Sequence, residues 1–361
     1  MAKITKSIGV TPSERFLAHL ADRSFLSLWA YPNVFRAKAK ELADLVVVCG
    51  DHVLVFSDKS IDWPTGTSPD VAWARWYRRA IAKSASQLKR AIGWIKQHPD
   101  RLFLDAKCEE RFPIELPPPN RMKVHGIIVA RGAAKACMDH FGSGSGSLGL
   151  MPMLSRTRDS RETPPNPFFV GNPSPTDDQV FHILDDVSLG VLLRELDTIT
   201  DFTRYLEKRE RLLIGNHLLA AHGEEDLLAI YMKDLNEHGD HDFVAAPGLA
   251  IDGNHTLVVD GGSYDDLRKR VEYKRKRNAD RVSYLWDDLI ESFAKNIIAD
   301  TSYIARGYED YHEPSKRELG LRYMALVSRL ERRTHSLAIK GAFESVREID
   351  SLERCCQAQL T

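Results

Sequence analysis

No stretch of this chain is apolar enough to cross a bilayer, which takes about 18 to 20 consecutive hydrophobic residues. The segment Met1–Thr11 carries Lys3 and Lys6 but no hydrophobic block behind them, so no secretory signal is read there. Cysteine is sparse. Cys49, Cys108, Cys137, Cys355 and Cys356 are odd in number, scattered, and form no Cys-x-x-Cys pair. That spacing argues against a disulfide framework and fits a reducing cytoplasm. An excess of one charge is also missing: 50 basic against 51 acidic residues leave a formal charge of −1. The chain as a whole is not polybasic, so any nucleic-acid surface must be local. Phosphate and nucleophile loops are absent as well. Gly142–Ser147 lacks the Gly-Lys-Ser/Thr ending of a P-loop, and Gly144 stands where Gly-x-Ser-x-Gly needs its serine.

What is present is a folding composition, 43 % apolar and 28 % charged over 361 residues. That length exceeds one compact core. The expectation is an α/β (mixed α+β) chain in two parts, residues 1–185 and a mainly helical 186–361. Thr11 and Glu14 are placed to form a capping box for a helix through about Asp22. Phe35–Leu42 reads as a short basic helix. Leu45–Cys49 and Val53–Phe56 are apolar on both faces and flank Gly50-Asp51, which predicts a hairpin of two buried strands. Val71–Gln97 repeats Trp73, Tyr77, Ile81, Leu88, Ile92 and Ile95 at helical steps. Strands are predicted at Val124–Ala130, Phe181–Leu184 and Thr256–Asp260. Helices are predicted at Ala133–Phe141, Leu189–Leu213, Glu224–Asn236, Arg268–Ala299 and Lys316–Leu352. Arg156–Pro175 reads as a surface linker.

The polar residues around the hairpin carry chemistry. Glu41 is expected to end the helix before it, Asp44 to open its first strand, and Lys59 to close its second, behind Ser57 and Asp58. A hairpin brings those ends together. Ionised groups at the end of a buried strand are costly unless paired or bound to a metal. Two carboxylates supply hard oxygens for Mg²⁺, and a lysine beside them can orient a nucleophile or offset developing negative charge.

Glu41-x-x-Asp44-Leu-Val-Val-Val followed by Val-Leu-Val-Phe-Ser57-Asp58-Lys59 resembles the PD-(D/E)XK, or restriction-endonuclease-like, superfamily. Lys83-Ser-Ala-Ser-Gln87-Leu88 is similar to the helix that follows the lysine motif in the Mrr-like and NERD-like branches. The resemblance covers about Phe16 to Ala130. It implies a nuclease core, cleavage of DNA phosphodiesters with Mg²⁺ or Mn²⁺, and a setting in phage defence or DNA processing. It implies further that Glu41, Asp44 and Asp58 hold metal, that Lys59 serves the nucleophile, and that Gln87 supports the site. DNA is the implied partner, with a homodimer or a partner protein of a defence system beside it, and no membrane.

One position departs from that pattern. The acid expected two residues before Lys59 is Ser57, and in a regular strand the adjacent Asp58 points to the opposite face. Two arrangements stay open: a bulge turns Asp58 into the site, or the site is one ligand short and the fold serves as a non-catalytic nucleic-acid-binding or assembly module. A plain Asp44–Lys59 ion pair is the third. Basic residues that could contact phosphate are Arg75, Arg78, Arg79 and Lys83 on the long helix, and Lys274, Arg275, Lys276 and Arg277 in a later run. His238-Gly-Asp240-His241-Asp242 has no second cysteine or histidine pair at zinc spacing and reads as a polar loop.

Overall fold

The computed structural model describes residues 7–25, 29–142, 144–155, 166–173, 179–238, 240–246, 249–251 and 256–277. The predicted helix Lys316–Leu352 and the Cys355-Cys356 pair lie outside them, as do most of Arg156–Pro175 and the part of Arg268–Ala299 beyond residue 277. The fold is mixed α/β. No helix among the described residues is long and apolar enough to cross a membrane.

The chain opens with helix α1 (Pro12–Phe25). Its capping box is formed: the Glu14 N–H donates to Thr11 Oγ1 at 3.2 Å, and Glu14 Oε2 accepts the Thr11 N–H at 3.3 Å. Three antiparallel strands follow, β1 (Ala30–Ala37), β2 (Lys40–Cys49) and β3 (His52–Ser60). The helix expected at Phe35–Leu42 is therefore the β1–β2 turn, with Glu41 already in β2 rather than on a helix. The turn is closed by Ala39 at φ 52°, and the pairing shifts register on either side of Phe35.

Helix α2 (Pro69–Tyr77), a π-helical turn at Arg78–Ala82 and helix α3 (Lys83–Gln97) then carry the chain back. Strand β4 (Lys123–Arg131) returns parallel to β3. Helix α4 (Ala134–Phe141) and the short strands β5 (Gly149–Leu150) and β6 (Phe169–Val170) precede β7 (Phe181–Leu184), parallel to β4. The main sheet runs β1-β2-β3-β4-β7. Val46, Val47, Val53, Leu54, Val55 and Phe56 are fully buried in its centre. Helices cover both faces. Phe56 meets Phe25 of α1, with ring centroids 6.5 Å apart. On the other side, a Cβ at Gly126 of β4 would lie 3.2 Å from Ile92 of α3. Gly132 ends β4 at φ 98°, where a Cβ would meet the Ile61 carbonyl oxygen at 2.2 Å, so the chain needs glycine there.

The predicted helical stretch Leu189–Leu213 is two helices, α5 (Ser188–Glu195) and α6 (Ile199–Ile214). They are divided at Thr198, whose hydroxyl accepts the Asp201 N–H and caps α6. Strand β8 (Leu218–Ala221), helix α7 (Glu224–Lys233), the hairpin strands β9 (Val244–Ala246) and β10 (Leu249–Ala250), strand β11 (Leu257–Val259) and helix α8 (Ser263–Lys269) complete the described chain. A second sheet, ordered β11-β8-β5-β6, joins strands from both sides of residue 185, and one hydrophobic cluster runs through both regions.

Candidate active site

The β2–β3 ladder ends at Leu45 opposite Phe56. Beyond it, Asp44 takes over the role of a ladder partner. Its Oδ2 accepts the backbone N–H of Asp58 at 2.6 Å and stands 3.5 Å from Lys59 Nζ. Asp44 is 3 % exposed, while the Lys59 side chain is 28 % exposed, so the pair lies half in and half out of the sheet edge. Glu41 and Glu14 join them through Asn33 of β1. Asn33 Nδ2 donates to Glu14 Oε2 at 3.0 Å and to Glu41 Oε1 at 2.8 Å. Asn33 is buried and holds φ 51°, a conformation that costs a non-glycine residue energy and that collects at functional sites.

The electrostatics follow from this crowding of three carboxylates around one ammonium. Burial raises the Asp44 pKa, although Lys59 and the Asp58 N–H pull against it. Glu41 is raised by desolvation and by its neighbours Asp44 and Glu14, with the Asn33 amide opposing. Burial also pushes Glu14 upward, but its hydrogen bonds from Asn33, Val10 and Thr11 outweigh that and leave it below the ordinary value. The corner gathers oxygen donors with more negative than positive charge.

Comparison with family models, curated proteins and solved structures returns no match. The reading of the site therefore rests on its own geometry.

Asp58 does not turn into this corner. The β3–β4 pairing runs without a shift from His52 to Ser60, so no bulge re-aims it. Its carboxylate shares the face of Phe56, and Oδ1 accepts from Arg131 Nε at 3.0 Å. Arg131 in turn lies under the Phe16 ring of α1, 5.2 Å from its centroid. Burial lifts the Asp58 pKa to about 6 despite the arginine. The Ser57 hydroxyl is fully buried and has no hydrogen-bond partner among the described residues, as is true of Ser84 on α3. Gln87 is half-buried on α3 and makes no hydrogen bond to the acidic corner among the described residues.

The predicted basic residues separate into two places. Arg75, Arg78, Arg79 and Lys83 are all exposed along α2, the π-helical turn and the start of α3. Lys274 and Arg275 are exposed and Lys276 and Arg277 half-buried in a helical turn after α8. The segment around His238 is a loop, in which Asp242 pairs with Lys208 and Asn236.

Three participants were not singled out in the sequence. Glu14 had been read only as a cap. Asn33 gave no signal, because a strand asparagine is ordinary until its partners are known. Arg131, at the end of an apolar strand, was a buried charge in need of a partner.

A second polar cluster lies at the other end of the strands. His125 Nδ1 and His182 Nε2 sit 2.8 and 3.0 Å from Glu210 Oε1, and His52 Nδ1 lies 3.1 Å from His125 Nε2. The two imidazoles and the carboxylate bring ligand atoms within 4.8 Å of one another, so they could hold a metal ion. Arg209 weighs against it. Its Nη1 donates to His182 Nδ1 at 3.1 Å, while Nε and Nη2 bind Glu224. A guanidinium only donates. His182 Nδ1 must therefore accept, and its Nε2–H is committed to Glu210. A metal at Nε2 would need that proton on Nδ1, facing another donor. The cluster is a hydrogen-bonded strap that ties α6 across β3, β4 and β7.

Proposed function

We propose that the Glu14–Glu41–Asp44–Lys59 corner binds a divalent metal ion, Mg²⁺ or Mn²⁺, and cleaves phosphodiester bonds of DNA. The observation that carries this reading is the meeting of Glu41, Asp44 and Lys59 at one sheet edge, with Glu14 added from α1. The order of elements is compatible with it: a helix, three antiparallel strands, a helix and a parallel strand.

Asp44 and Glu41 would supply the metal's oxygens, with Glu14 within reach through Asn33. A metal held there lowers the pKa of a bound water and offsets charge on the phosphate. The chain does the rest. Asn33 keeps the two glutamates from splaying, and the Asp58 N–H fixes one oxygen of Asp44 while leaving Oδ1 for a ligand. Lys59 Nζ stands over Asp44, where it can orient the attacking water and stabilise negative charge as the bond breaks. The exposed basic face of α2 and α3 provides phosphate contacts. A role in phage defence or DNA processing comes from the resemblance alone.

A second reading, a nucleic-acid-binding or assembly module without catalysis, is favoured by one observation: Asp58 is committed to Arg131, and Ser57 stands in place of an acid. Plasmid nicking in Mg²⁺ or Mn²⁺ separates the two. Nicking by the wild type that is lost in Asp44→Asn and Lys59→Ala supports the nuclease. Equal nicking by all three would sink the proposed site. DNA binding with no nicking in either metal would favour the second reading.

A further inference from the structure

The charge of the chain is balanced overall but not evenly spread. Four cations, Arg268, Lys269, Lys274 and Arg277, come from α8 and the turn beyond it to surround an open cavity of about 630 Å³, and Arg194 of α5 adds a fifth. Asp265 is the acid in that lining, and Tyr273 contributes an aromatic ring. Lys269 is offset by Asp266 at 2.8 Å. Arg194 is offset in part by Glu195, whose Oε1 lies 3.4 Å from its Nε, and Arg268, Lys274 and Arg277 line the same concave surface, where like charges concentrate an anion-attracting field.

The wall is built rather than fortuitous. Glu195, 2 % exposed, accepts the hydroxyls of Tyr264 at 2.6 Å and Tyr273 at 2.8 Å through one oxygen. Both rings are thereby pinned. The same assembly braces two of the cations: Arg194 donates to the Tyr264 hydroxyl at 3.0 Å, and the Arg268 guanidinium lies 5.7 Å from the Tyr264 ring centroid. Arg277 folds back so that Nη1 donates to the Arg194 carbonyl at 3.3 Å. Ordering long side chains against each other costs entropy and places like charges together, a cost that an anionic ligand would offset.

We propose that this cavity binds a nucleoside polyphosphate, its phosphates held by Arg194, Arg268 and Lys274 and its base laid against Tyr273. The volume lies in the range of small-ligand sites, about 300–1,000 Å³, but the lining is cationic where such sites are usually apolar. Arginine forks match phosphate oxygens, and an aromatic face accepts any base by stacking. A free nucleotide and the 5′-phosphorylated end of a strand present the same chemistry. The assignment does not depend on catalysis at the acidic corner.

The test is calorimetric titration of the full chain with ATP, with inorganic triphosphate, and with a short 5′-phosphorylated single strand. ATP is expected to bind more tightly than triphosphate, and Tyr273→Leu should erase that difference. Arg268→Glu with Lys274→Glu should weaken ATP binding by about tenfold or more, the equivalent of about 1.4 kcal/mol, at an unchanged melting temperature. If that pair of changes lowers the melting temperature, Lys274→Ala, at an exposed position, replaces it and should weaken binding in the same direction. Competition by the strand for the ATP site would identify a strand end as the source of the nucleotide, and its absence a free nucleotide. Undetectable ATP binding, or equal binding by wild type and charge variants, overturns the proposal. So does a strand that binds while ATP neither binds nor competes.

Discussion

Asp44 Oδ2 and the backbone N–H of Asp58 are joined at 2.6 Å, so a side chain completes the β2–β3 ladder at the point where the backbone ladder stops. This gives Asp44 two separable roles. As an oxygen acceptor it satisfies a buried donor, and as an anion it faces Lys59. Asp44→Asn keeps the acceptor and removes a charge that burial disfavours. Its melting temperature should equal or exceed that of the wild type, while Mn²⁺ binding and nicking are lost. Asp44→Ala strands the Asp58 N–H and should cost about 1–3 kcal/mol. Thermal melts of the two variants check this. Equal destabilisation by both would mean that the N–H bond contributes nothing.

The Asp58–Arg131 pair is nearly sealed from solvent, and Asp58 Oδ2 and Arg131 Nη2 have no hydrogen-bond partner among the described residues. Removing one partner of such a pair leaves an isolated buried charge. Arg131→Met should cost about 3–5 kcal/mol, and the double variant with Asp58→Asn should recover much of it. The pH dependence has a definite sign. Asp58 titrates at about 6 in the fold, above the ordinary value of 3.8. The folded state therefore binds the extra proton between those values. The stability this proton contributes is full below about 3.8 and is lost as pH rises through about 6. Urea midpoints over that range should fall less steeply with rising pH in Asp58→Asn than in the wild type.

Much of this fold was legible because its signals are local. Val46–Val48 and Val53–Phe56 read as buried strands because both faces are apolar, and α2–α3 reads as helical from the spacing of Trp73, Tyr77 and Ile81. Phe35–Leu42 gives no strand signal of its own, because it holds the end of β1, a two-residue turn closed by Ala39 at φ 52°, and the start of β2. Strand β8 was not anticipated, since its four residues pair with β5 and β11 far away in the chain. The same limit applies to the site. Asp44 and Lys59 are neighbours across a hairpin and could be paired from spacing. Glu14 reaches them only through Asn33, and Asp58 is drawn away by Arg131, 73 residues later.

The imidazole strap predicts an acid weakness of opposite sign to that of Asp58. His52 faces His125, Glu207, Lys123 and Asp51. Burial, and then the neighbouring His125, lower its pKa to about 4. The unfolded chain takes up a proton near the ordinary value, about 6.5. Between those values the unfolded state binds a proton that the folded state refuses. The contribution is intact above about 6.5 and is lost as pH falls toward about 4. His52→Gln should flatten this part of the stability profile. An unchanged slope in the variant would show that His52 does not titrate in that window.

Asn33 offers the sharpest separation of backbone from side-chain effects at the acidic corner. Its amide bridges Glu14 and Glu41, and its backbone sits at φ 51°. Glycine adopts that conformation freely, so Asn33→Gly removes the bridge without adding backbone strain. Glu14 then loses the largest of the hydrogen bonds that lower its pKa, and the two glutamates are free to move apart. The variant should stay within about 1 kcal/mol of wild-type stability and bind Mn²⁺ several-fold more weakly, with the loss greatest at low pH, because both glutamates lose the amide bond that holds their pKa values down. Asn33→Ala should show the same metal defect plus a cost for the strained backbone. Wild-type Mn²⁺ affinity in the glycine variant would mean that the bridge shapes β1 but plays no part in holding a cation.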